Sequence, residues 1–215
     1  MSNLAGSAFD LVEMIKQKSP EFLAVITAST EKEFDEAFDV LLGEAVASLE
    51  RDKKLFKDLD EDGLSAVLGR SLMVPGLTVT HQAYSGGHVD LTIELQHSYP
   101  IRRKLAEAKI YDGPAYHVKG MEQLHGRYTT GREGRGLVIE YVRTAGIAKL
   151  FEKLREKLDA DLPVKQKGPA KNHPMKWAFI SVHEHSCGDD LEIGHIGCNL
   201  YIEQSKSGDS VSSQD

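Results

Sequence analysis

The sequence predicts an α/β protein in which a mixed β-sheet is flanked by helices and preceded by an N-terminal helical segment. Three features predict it. Apolar residues recur at helical spacing as far as Leu72, the period changes to two at Leu77, and beyond residue 114 helical and strand-like stretches alternate.

The elements follow in order. Residues 8–16 and 31–56 carry apolar positions at helical spacing (Phe34, Ala37, Phe38, Leu41, Leu42, Ala45, Leu49) with charges opposite. Residues 58–63 form an acidic break ending in glycine, and 64–72 a short helix that stops before Val74-Pro75-Gly76. Strands are expected over 77–84 and 88–95, joined by Ser85-Gly86-Gly87, and a third over 103–111 after a turn at 96–100, giving a meander. A helix over 115–128 leads to the continuous apolar run 136–142, the pattern of a strand buried on both faces. An amphipathic helix over 147–158, a Pro, Gly and Lys-rich loop over 163–174 and strands over 176–183 and 192–202 complete the sheet. Residues 204–215, nearly all polar, are expected to be disordered, because they bury too little to offset their ordering entropy.

With 215 residues, the chain is the size of one domain, divided as a helical segment over 1–60, a core over 61–203 and the tail. No stretch is apolar enough to span a membrane, and residues 1–10 do not read as a secretory signal, so a cytoplasmic location without membrane attachment is expected. A net charge of −7 excludes a general basic coat for nucleic acid, though not a local basic surface.

Chemistry concentrates on two strands. Alternation points Val89, Leu91, Ile93 and Leu95 one way and Asp90 the other; on the next strand Ala106, Ala108 and Ile110 pack inward, leaving Glu107 and Lys109 together outside. Two carboxylates and a lysine across adjacent strands suit phosphodiester hydrolysis: carboxylates hold Mg²⁺, which activates water and polarises phosphate, and a lysine orients that water or stabilises developing charge. The same trio also reads as a solvated salt-bridge face.

Gly87-His88-Val89-Asp90, then Glu107-Ala108-Lys109, then a helix bearing Gln123 and Tyr128, resembles the PD-(D/E)XK nuclease superfamily over about residues 61–142. Val89 replaces the proline that gives the family its name, and Gln123 and Tyr128 are five apart where one subgroup has four. The resemblance implies a restriction endonuclease-like fold and a Mg²⁺- or Mn²⁺-dependent nuclease that cleaves DNA. In it Asp90, Glu107 and the Ala108 carbonyl hold the metal, Lys109 acts on the water, and Glu61 and Gln123 assist. It further suggests an effector of microbial defence, repair or mobile-element systems, with a homo-oligomer or protein partner. A non-catalytic binding subunit of the same fold, and an RNA-cleaving enzyme, are the alternatives.

His183, His185, Cys187, His195 and Cys198 offer a second, zinc-binding reading, although their spacing matches no standard zinc motif. Arg127, Arg132 and Arg135, Arg102, Arg103 and Lys104, and the lysines of 165–176 are candidate phosphate contacts.

Overall fold

A computed structural model of the chain describes residues 7–84, 88–96 and 98–203. The expected turn at Ser85-Gly86-Gly87, including Gly87 of the motif, and the tail over 204–215 lie outside the described residues, as does His97 within the turn at 96–100.

A seven-stranded mixed sheet, ordered β1-β2-β3-β4-β7-β6-β5, runs through the molecule. Its strands are β1 (Leu77–Tyr84), β2 (His88–Leu95), β3 (Arg102–Ile110), β4 (Arg135–Val142), β5 (Lys171–Asn172), β6 (Ala178–Glu184) and β7 (Asp190–Asn199). β1, β2 and β3 form the expected antiparallel meander; β3 pairs in parallel with β4, and β4 with β7. Parallel neighbours need crossovers, and helices provide them. α5 (Pro114–Gln123) links β3 to β4, and α6 (Ile147–Asp161) follows β4. Every residue of β4 is buried, as a strand covered on both faces requires.

Two cores separate the layers. On one face α2 (Pro20–Thr27), α3 (Glu31–Arg51) and α4 (Glu61–Ser71) pack Val25, Phe34, Phe38, Leu42 and Leu68 against Leu91, Ala106, Ala108, Ile139 and Ile196. On the other, α5 and α6 pack Met121, Phe151, Leu154 and Leu158 against Leu105, Val138, Phe179 and Ile193. The N-terminal helices thus share a core with the sheet, except α1 (Ala8–Lys18), which buries no residue.

Several boundaries move for local reasons. α3 begins where Thr30 accepts the Glu33 amide and the Glu33 carboxylate accepts the Thr30 amide, a capping box. It ends at Arg51, short of the expected residue 56. The acidic stretch read as a break is the first turn of α4: Asp60 caps it by accepting the Gly63 amide at 2.9 Å, which makes Glu61 the first helical residue. α2, eight residues beginning at Pro20, was not expected. Among the described residues no helix is long and apolar enough to cross a membrane.

Candidate active site

β2 and β3 pair from Leu95 opposite Arg102 to Leu91 opposite Ala106, and the ladder between them ends there. The β3 amides beyond that point are taken by carboxylates. Asp90 accepts the Ala108 N–H at 2.7 Å, and Glu61, from the start of α4, accepts the Ile110 N–H at 2.8 Å. Since N–H and C=O of one strand residue point to the same edge, the Ala108 carbonyl also faces the Asp90 side. β2 turns over at this level: Leu91, Ile93 and Leu95 join the α3 and α4 core, whereas Val89, expected on the same face, packs into the core beneath α5. Across from Asp90, Gln82 of β1 has a φ of 53°, a left-handed backbone that marks the same local break.

Glu107 and Lys109 face α5, as alternation predicts. The Lys109 ammonium donates to Glu107 Oε1 at 2.7 Å and lies 5.2 Å from the centre of the Tyr116 ring. α5 approaches this closely through Gly120, where a Cβ would stand 3.2 Å from Lys109 Cε and 3.5 Å from Glu107 Cγ. Both side chains are almost fully enclosed, with Glu107 3% and Lys109 6% exposed.

The electrostatics of the group are strained. Burial, together with the charges of Asp90 and Glu61, pushes Glu107 up to about 7 despite its bond to Lys109. Burial also raises Asp90 and Glu61 against the backbone amides that hold them. For Lys109, burial works against the charge, but the bond and charge of Glu107, with Glu61, outweigh it and raise its pKa. Asp90, Glu107, Lys109 and Glu61 therefore share one field.

Gln123 ends α5, half-buried, three residues after Gly120 and so on the same side of the helix. The helix expected to continue to Tyr128 instead becomes a π turn over Leu124–Tyr128, closed by the Thr129 N–H on the Leu124 carbonyl. A π turn holds one residue more than an α turn, so positions five apart recover the relation that four apart have in an α-helix. Tyr128 is buried, and its hydroxyl pKa is raised by burial and then by the charges of Glu107 and Asp90.

Tyr116, Gly120 and His81 lie at the site without having been singled out. His81, half-buried on β1, is near enough to Asp90 to favour its ionised form, and its Nε2 has no hydrogen-bond partner among the described residues. The alternating pattern of β1 contained the signal for His81; nothing in the sequence alone marked Gly120. The zinc reading does not assemble: Cys198 packs in the α3-side core, while His195 stacks on Phe179 at 4.4 Å beneath α5. Three candidate phosphate contacts are structural instead. Arg135 is buried in ion pairs with Asp39, Asp35 and Glu192; Lys104 is fully buried against Glu31 and Asp35; Arg102 binds the carbonyls of Ala28 and Ser29. Arg103 pairs with Glu94, whereas Arg127 and the loop lysines 165, 167, 171 and 176 are exposed.

One observation bears on a metal. Glu107 Oε2 is buried and takes no hydrogen bond from the described residues. Such an orphaned acceptor is costly unless something positive meets it, and the neighbouring Asp90 carboxylate and Ala108 carbonyl suit a hard cation. Among the described residues no group of three or more His, Cys, Asp or Glu side chains is gathered closely enough to hold a metal ion. Mg²⁺ does not need such a group, because it keeps several waters and usually takes only one or two carboxylates. Compared with known proteins, the chain matches no protein-family model, no curated protein and no solved structure.

Proposed function

We propose that the chain is a divalent-metal-dependent nuclease with a restriction endonuclease-like core that hydrolyses DNA phosphodiester bonds. The observation that carries this reading is the meeting of Asp90, Glu107 and Lys109 where β2 and β3 part, with one Glu107 oxygen left without a donor among the described residues. Asp90, Glu107 and the Ala108 carbonyl would hold Mg²⁺ or Mn²⁺. The ion supplies a bound water of lowered pKa and a Lewis acid for the phosphate.

The chain's own residues do the rest. Lys109, kept protonated by Glu107 and Glu61, has N–H groups beyond the one given to Glu107 and directs them at the attacking water or the developing phosphorane charge. The Tyr116 ring faces its ammonium and Gly120 lies against its stem. Glu61 fixes the β3 edge by accepting the Ile110 amide, and Gln123, at the end of α5, would meet the substrate. Exposed Arg127 supplies positive charge on the same helical arm.

The test is incubation of plasmid, linear duplex, single-stranded DNA and RNA with Mg²⁺ or Mn²⁺, alongside Lys109→Ala and Asp90→Ala. DNA cleavage that needs the metal and falls by about 10²-fold or more in either variant supports the reading. Cleavage of RNA alone replaces the substrate class, and wild type and variants behaving alike on every substrate removes the enzyme.

A further inference from the structure

Behind the site, a line of polar side chains crosses the interior. Glu140 stands beside Lys109 in the β3–β4 register and faces α5. Its Oε1 meets His117 Nδ1 at 2.6 Å; His117 Nε2 meets His195 Nδ1 at 2.7 Å; His195 Nε2 meets Ser181 Oγ at 2.7 Å; Ser181 Oγ meets His183 Nε2 at 2.6 Å; and His183 Nδ1 meets the Val164 carbonyl at 2.8 Å. All five side-chain-bearing residues are fully buried. Beyond His183, its ring edge contacts half-buried His125 at 6.2 Å between centres.

The end of the line fixes its direction. A carbonyl only accepts, so His183 Nδ1 carries a proton. Burial holds His183 down to about 4 and His195 well below its ordinary value, so both imidazoles are neutral. His183 Nε2 must then accept from the Ser181 hydroxyl, whose oxygen accepts from His195 Nε2–H, and His195 Nδ1 accepts from His117 Nε2–H. At the far end, His117 Nδ1 and Glu140 Oε1 can lie this close only with a proton between them. The line therefore holds one proton more than neutral imidazoles and a carboxylate would.

We infer that Glu140, His117, His195, Ser181 and His183 form a one-proton relay between the Lys109 side of the site and the His125 surface. In one shift the Glu140 O–H proton passes to His117 Nδ1, the His117 Nε2 proton to His195 Nδ1, the His195 Nε2 proton to Ser181 Oγ, and the Ser181 hydroxyl proton to His183 Nε2. Four bonds break and four form, leaving Glu140 a carboxylate and His183 an imidazolium. The shift reverses along the same bonds, which returns the proton to Glu140 and leaves His183 again the neutral Nδ1–H form. Glu140 and His117 are proton-transfer groups here; uptake of a proton from an attacking water by Glu140, once the shift has left it a carboxylate, rests on the hydrolytic reading above, whereas the shift itself does not.

The experiment needs no substrate. Imidazole ¹⁵N NMR of the full chain should show His183 as the Nδ1–H form and His195 as the Nε2–H form, with a strongly deshielded shared proton at His117 that disappears in Glu140→Gln. His183 found as the Nε2–H form, or no shared proton, overturns the relay. In Ser181→Ala, exchange of the His117 and His195 N–H protons with water should slow on the order of tenfold, the barrier equivalent of one hydrogen bond. Exchange unchanged or faster shows a brace and overturns transfer; if that variant fails to fold, the wild-type protonation pattern decides.

Discussion

At Glu107, burial opposes ionisation while Lys109 favours it, and burial prevails. Its folded pKa of about 7 lies above the ordinary 4.5, so between those values the folded chain binds more protons than the unfolded one. Stability without metal is therefore fully present below about pH 4.5 and falls as pH rises toward 7. Melting temperatures in a chelator should drop across that window, and Glu107→Gln should flatten the drop; a flat wild-type profile contradicts the assignment. At Gly120, alanine gains up to about 1 kcal/mol of helix propensity yet presses its methyl on the Lys109 stem. Gly120→Ala should keep or raise the melting temperature while lowering turnover severalfold; loss of stability with activity intact would show that the glycine serves packing alone.

Among the elements, α3 is joined to the sheet by charge as well as by its apolar stripe. Arg135 of β4 donates to both Asp39 oxygens at 3.0 and 3.1 Å and to Glu192 of β7 at 3.0 Å. Arg135→Ala leaves buried Asp39 without its guanidinium, while Asp35 keeps Lys104, and should cost about 3–5 kcal/mol in denaturant unfolding; a loss below about 1 kcal/mol would place the ion pairs with ordinary surface bridges. In sequence Arg135 looked like one of a cluster of basic loop residues, because its partners lie on α3 and β7 and only folding brings them together. The same limit hid the relay: His117 and Glu140 have no shared period, and the parallel order β4-β7 that aligns them with His195 depends on packing. What periodicity carries was legible. The meander and the placing of Glu107 and Lys109 on one face of β3 follow from alternation, and the buried β4 from its continuous apolar run, whereas the burial of that pair under α5 was not legible and the start of α4 was hidden because Gly63 reads as a helix end but serves as the amide that Asp60 caps.

For the whole molecule, the two faces of the sheet have separate tasks. α2, α3 and α4 cover one face with apolar side chains and the ion pairs of Arg135 and Lys104 with α3, and α4 sends Glu61 to the edge of β3. α5 covers the other face with a polar line that begins beside Lys109 and ends at Val164. On the proposed reading, the net charge of −7 leaves few phosphate contacts beyond a bound cation, so cleavage should weaken with added salt by the modest slope that a small number of contacts gives. Rates measured in rising NaCl at fixed Mg²⁺ check this, and a flat dependence argues against a polyanionic substrate.

The central claim is that Asp90 and Glu107 jointly hold one divalent ion. Mn²⁺ titration followed by electron paramagnetic resonance tests it directly. Wild type should bind Mn²⁺, Asp90→Asn and Glu107→Gln should each weaken that binding about tenfold or more, and Glu192→Gln, on the far side of the sheet, should leave it unchanged. Equal binding by all four proteins would contradict the account.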